Sequence, residues 1–402
     1  MNMKISGTLG ALALTLLLLA APPAIANPQP STSASSANPP TAATSAALAP
    51  LLAKAQTEAA AGHNDAALKD LLAAAKLDPG NLAVEKLIGD VEYRLQNYSA
   101  AEAAYKAVLA REPGNKDVHN RLGGVYSAED RFSDAVSEFR ASLPSTEGFS
   151  NLVDAYADEG RLGELESEYS LEVTRNPYDP VAHYTYGIVL SRENRFSDAV
   201  TQFMQAINLQ PHFADAHNAL GKSYGDLGRY QDAINEYKLA LANEPKHYMA
   251  MMNWGVELIY LGDYAGALTH LNQAASVNPN FAKTYVNLGV VYDKQNQFTR
   301  AVELYSRAIE LDPRVWEAYV DIAALYHDHG LMNLAEAAYI KGLSANPHNA
   351  TLHYGLGTYY MEEKKFDLAE QQFQVAAQEK PGDPNIKSSL ANAESKLGRS
   401  PH

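Results

Sequence analysis

Proline returns along this chain at a fixed interval. Pro177, Pro211, Pro245, Pro279, Pro313, Pro347 and Pro381 each follow the last by 34 residues, and Pro79 and Pro113 are separated by the same distance. A period of that length marks stacked structural repeats, because one such unit cannot bury its own apolar face. An array of this kind has no buried central cleft. It offers a long curved surface, so binding is the first function to look for.

With each proline at position 32 of a 34-residue unit, the rest of the chain falls into register. The eighth unit carries Tyr285, Leu288, Gly289 and Tyr292 at positions 4, 7, 8 and 11, then Phe298, Ala301, Tyr305 and Ala308 at 17, 20, 24 and 27. The sixth repeats the pattern with His217, Leu220, Gly221, Tyr224, Tyr230, Ala233, Tyr237 and Ala240. Each group of four has the three- and four-residue spacing of one helix face, which predicts two helices per unit. Small residues at position 8 (Gly187, Gly221, Gly255, Gly289, Gly357) and alanine at position 20 leave room for the two backbones to approach. The proline, preceded by Asp or Asn in Asp312-Pro313 and Asn278-Pro279, ends the second helix, since it lacks an amide proton and disfavours helical geometry in the residue before it.

This register resembles the tetratricopeptide repeat family through about ten units, from roughly Leu48 to Pro381. The resemblance implies an all-α fold, a right-handed α-α superhelix, spanning 48–383. Two units are irregular over 116–177: Pro113 to Pro144 is 31 residues and Pro144 to Pro177 is 33. The fourth unit also has Val153 and Leu165 where Gly and Ala are usual, so its helices should stand further apart and the curvature should change there. Residues 384–402 read as a capping helix and tail.

Ahead of the repeats, Lys4, the apolar run from Ile5 to Ala21 and Ala24-Ile25-Ala26 read as a signal peptide over 1–26, with an exported, periplasmic or secreted product and no membrane span after cleavage; the alternative is an uncleaved N-terminal helix that anchors the chain. Residues 27–47, rich in Pro, Ser, Ala and Thr, read as a flexible linker. The formal charge of −15 disfavours nucleic acid, which needs basic patches. The absence of cysteine excludes a disulfide framework.

No pattern for catalysis or a cofactor stands out, so the reading is a non-enzymatic chain without cofactor or metal. His119, His183, His217 and His353 all occupy position 4, a packing position, while His212, His247 and His348 fall in turns and should be solvated. His327 and His329 are two apart and share no helix face. Gly221-Lys222-Ser223 lies inside a repeat helix, where its amides are already hydrogen-bonded, so it is no phosphate loop.

The family resemblance implies that positions 2, 5, 9, 12 and 13 of each first helix line the concave groove. In the seventh unit these are Met249, Met252, Val256, Ile259 and Tyr260, continued by Val286, Val290 and Val320, an apolar patch with polar neighbours. Asn253, Asn287 and Asp321 at position 6 resemble part of the asparagine ladder in the repeats of O-linked N-acetylglucosamine transferases. The expected partner is a protein or peptide held in this groove, in an envelope-associated complex. The alternative is a regulatory or adaptor subunit that recognises a peptide or glycan, or serves a separate glycosyltransferase. Oligomeric state is left open.

Overall fold

The computed structural model describes residues 42–399, so the expected leader, most of the expected linker and the last residues of the tail lie outside the described residues. Among the described residues there are 21 helices and no strand. The first four units pair α1 (Ala42–Ala60) with α2 (Asn64–Leu77), α3 (Leu82–Arg94) with α4 (Tyr98–Leu109), α5 (Lys116–Ala128) with α6 (Phe132–Ser142), and α7 (Thr146–Asp158) with α8 (Leu162–Arg175). Units five to seven are α9 (Pro180–Arg192) with α10 (Phe196–Leu209), α11 (Ala214–Asp226) with α12 (Tyr230–Asn243), and α13 (Tyr248–Tyr260) with α14 (Tyr264–Val277). The last three are α15 (Ala282–Lys294) with α16 (Phe298–Leu311), α17 (Trp316–Asp328) with α18 (Met332–Ala345), and α19 (Ala350–Glu362) with α20 (Phe366–Glu379). α21 (Pro384–Lys396) packs on α20, burying Ile386 and Ala393.

The first helix starts at Ala42, ahead of the Leu48 boundary read from composition, and runs through Pro50. Alanine is the strongest helix former, and the alanine-rich stretch before Pro50 extends the helix into what reads as linker.

Within a unit the two helices are locked by an aromatic ring laid over a glycine. A Cβ added at Gly289 would lie 2.6 Å from Cε1 of Tyr305, and Gly187 stands in the same relation to Phe203 at 2.5 Å. The reversal between the two helices needs a left-handed residue at position 15, supplied by Gly228 (φ +73°) and Gly262 (φ +77°) but also by Gln96 and Lys364. In six units position 4 then ties the unit to the preceding turn. His217 Nε2 contacts the Pro211 carbonyl at 3.1 Å while Nδ1 contacts Glu236 Oε2 at 2.7 Å, and Tyr285 donates its hydroxyl to the Pro279 carbonyl at 2.9 Å. His247 departs from the expected solvated role. It is buried, accepts the Ala250 amide at Nδ1 as the cap of α13, and meets Asp215 through Nε2 at 3.0 Å.

Neighbouring first helices touch one another from α3 to α21, whereas neighbouring second helices hardly do. The stack therefore curves with its first helices inside. The curve returns on itself: Arg307 of unit eight donates to the Ala60 carbonyl of unit one, and His348, in the turn that ends unit nine, lies 3.8 Å from Asp130 of unit three. Tyr93, at the end of α3, sits within electrostatic reach of Asp312 and Arg314, and burial there pushes its phenol pKa up.

Unit four breaks the pattern. α7 and α8 hardly meet, while the two helices of every other unit pack along one another. α6 is 11 residues long against 14 for α8 and α10.

Candidate functional site

A recess of about 320 Å³ opens between α11 and α13. Lys222 and Asp226 come from α11, and Asn253, Val256, Glu257 and Tyr260 from α13. Three local features shape it. Gly225 has no side chain, and a Cβ there would collide with the Glu257 carboxyl, so this glycine admits the acid. Asn253 Nδ2 donates to Asn218 Oδ1 at 3.0 Å and ties the two helices together. At the mouth, Tyr260 is 68% exposed and lies parallel to Tyr230, ring centroids 5.5 Å apart.

Glu257 forms the floor and is only 5% exposed. Its Oε1 accepts from the Tyr237 hydroxyl at 3.3 Å, and its Oε2 is buried without a hydrogen-bond partner. Burial pushes its pKa up to about 7; the Tyr237 bond opposes the rise, Asp226 adds to it and Lys222 subtracts. Beside it Lys222 and Asp226 pair at 3.0 Å. A buried carboxyl with a free oxygen, a neighbouring ion pair and an exposed aromatic platform can hold a polar group of a ligand while a flat surface rests on Tyr260.

The groove residues expected from the sequence divide into two sets. Asn253, Val256 and Tyr260 line the recess. Met252 and Ile259 instead pack against the core of Ala267, Leu271, Leu288 and Val291, and Val286 is buried in the core around Tyr305. Val290 packs on that same core and Val320 on the one around Tyr339, and Met249 is half-buried. The apolar stripe is thus mostly packing between units, because adjoining first helices sit close enough to cover it. Asn287 is half-buried outside the recess. Asp321, two units further along the inner face, has its carboxyl pushed up to about 6 by burial, with Glu317 and Asp293 adding to the effect. Glu257 was not legible as a site residue, since an acid at position 10 reads as solvated. Its signal is Gly225, a glycine within α11.

These features define a helical-repeat scaffold for protein–protein interaction. Tetratricopeptide repeat profiles match residues 86–148 and 320–384, a TPR repeat profile matches 187–228 and 255–296, and two further tetratricopeptide profiles match 214–247 and 282–315. Together they cover more than half of the chain, which belongs to the tetratricopeptide repeat family. Among solved structures it is similar to the APC/C hetero-tetramer Cut9-Hcn1, at 18% identity over 86% of this chain and 76% of that one, with a TM-score of 0.51. A tetratricopeptide repeat protein from Parabacteroides merdae matches at 20% identity over 61% of this chain and 98% of its own, TM-score 0.48. Yeast Tom70 matches at 12% identity over 88% and 96%, TM-score 0.47. At these identities the likeness concerns the fold alone. No curated protein matches the chain.

Proposed function

We propose that this chain is a non-enzymatic scaffold that binds an extended polypeptide along its first helices, with the recess between α11 and α13 as the point of side-chain recognition. The observation that carries the reading is the unpartnered Oε2 of Glu257 at the floor of that recess. A buried polar atom without a partner is unfavourable by about 1–3 kcal/mol, and a ligand group that hydrogen-bonds to it recovers that loss. Tyr260 and Val256 supply the apolar contact beside it. Fold alone does not specify a ligand, so the proposal rests on these residues.

We place the scaffold outside the cytoplasm, in an envelope-associated complex, on the strength of Lys4, the apolar run to Ala21 and the Ala24-Ile25-Ala26 site. Amino-terminal sequencing of the exported protein should begin at Asn27; an intact Met1 would overturn the cleavage.

The groove reading is tested by selecting a random peptide library on the wild type and on Val256→Asp and Tyr260→Ala proteins whose helicity is unchanged. Peptides enriched on the wild type should lose affinity for both variants, by more than about 1 kcal/mol. Equal enrichment on all three would remove the recess from the binding surface.

A further inference from the structure

The irregular fourth unit opens a second concavity, away from the α11–α13 recess. In six units an aromatic ring at position 24 covers a glycine at position 8. In unit four position 8 is Val153, itself buried, so the ring at position 24, Tyr169, has no glycine to lie over. It packs instead edge-on against Phe149, with centroids 4.9 Å apart and an interplanar angle of 73°. α8 is held off α7, and the short α6 leaves the space under Leu143 and Pro144 unfilled.

The resulting cleft measures about 590 Å³, inside the range of roughly 300–1,000 Å³ typical of ligand sites. Phe149 and Tyr169 form one wall and Tyr184 and Phe213, with centroids 5.0 Å apart, form another. Glu168, Glu172 and Asp179 also line it. Arg140 neutralises Glu168 at 2.7 Å. Glu172 Oε1 accepts only from the Asn176 amide at 2.6 Å, and Asp179 Oδ1 from the Val181 amide at 2.9 Å. Among the described residues neither of these two carboxylates has a cationic partner. Aromatic walls beside uncompensated negative charge are complementary to a cation carried next to an apolar group.

We propose that this cleft is a second binding site, independent of the recess, for a polypeptide segment bearing an aromatic or aliphatic side chain beside a lysine or arginine. The apolar side chain enters between Tyr169 and Tyr184, and the cation reaches Glu172 and Asp179.

The test is fluorescence anisotropy of a dye-labelled peptide, Gly-Ser-Phe-Lys-Ser-Gly, titrated with the full chain at low salt. Val181, 46% exposed on the cleft wall, becomes tryptophan in Val181→Trp and fills the space; Glu172→Lys reverses the charge at the surface. Each should weaken binding at least about tenfold with helicity unchanged. A Phe-Glu version of the peptide should bind the wild type at least about tenfold more weakly, and Glu172→Lys should narrow or invert that preference. Tyr260→Ala should leave the Phe-Lys peptide bound as before. Absence of saturable binding by the wild type, indifference to Val181→Trp and Glu172→Lys, or loss of binding in Tyr260→Ala would each overturn the proposal.

Discussion

Tyr237 donates its hydroxyl to Oε1 of Glu257 across the boundary between units six and seven, at 3.3 Å, while Oε2 of the same carboxyl stays buried and unpaired. The acid is therefore held closer to neutrality than a surface carboxylate, with its pKa pushed up to about 7 chiefly by burial.

A carboxyl whose pKa is raised in the fold binds its proton more tightly there than in the unfolded chain. Its ionised form opposes folding, so stability should fall as pH rises from about 4.5 through 7. Glu257→Gln removes that titration. Thermal melts from pH 5 to pH 8 should show the variant gaining on the wild type as pH rises; a constant difference would mean that the carboxyl is solvated.

Two adjacent glycines should respond to alanine with opposite signs. A Cβ at Gly123 would lie 2.6 Å from the Phe139 ring, whereas one at Gly124 meets nothing within 4 Å. Gly123→Ala should destabilise by about 1–3 kcal/mol through overpacking. Gly124→Ala, inside the same helix, should stabilise by about 0.5–1 kcal/mol through the lower entropy of the unfolded chain. Urea denaturation of the two variants decides it.

His217 faces two acceptors, the Glu236 carboxylate and the Pro211 carbonyl, and needs a proton on both ring nitrogens to donate to both. Burial lowers its pKa, but these two contacts outweigh burial and the net shift is upward. The stabilisation is complete below the ordinary imidazole pKa of about 6.5 and is lost as pH rises through the raised value. His217→Tyr, the residue the eighth unit uses at this position, should keep the carbonyl bond and show a shallower loss of melting temperature between pH 5.5 and 8. An unchanged slope would count against the doubly donating imidazolium.

The contact between successive turns of the superhelix should be breakable without unfolding. Arg307 reaches the Ala60 carbonyl from an exposed side-chain bond, and exposed contacts of this kind contribute little to stability. Arg307→Ala together with His348→Ala should raise the radius of gyration in small-angle scattering while circular dichroism and melting stay nearly constant. No expansion would show that the packing around Tyr93 and Asp312 holds the turns together by itself.

Features set within one unit are legible in the order of residues alone. Helix faces follow from three- and four-residue spacing, the second helix ends where proline removes an amide, and Gly289 with Tyr305 is readable as a close crossing because both recur at fixed positions. These are short-range constraints that repeat, so one period explains the next. Val153 and Leu165 likewise mark unit four as a place where the helices stand apart, and α7 and α8 do hardly meet.

Tertiary structure alone decided which inner-face residues remain open. Val256 and Val286 read alike in sequence, yet one lines a recess and the other is core, because coverage depends on the distance to the next helix. Glu257 is buried only because Gly225, 32 residues earlier on a different helix, leaves it room. The cleft beside Tyr169 and the meeting of Arg307 with Ala60 arise from displacements summed over several units, and no local pattern encodes such a sum.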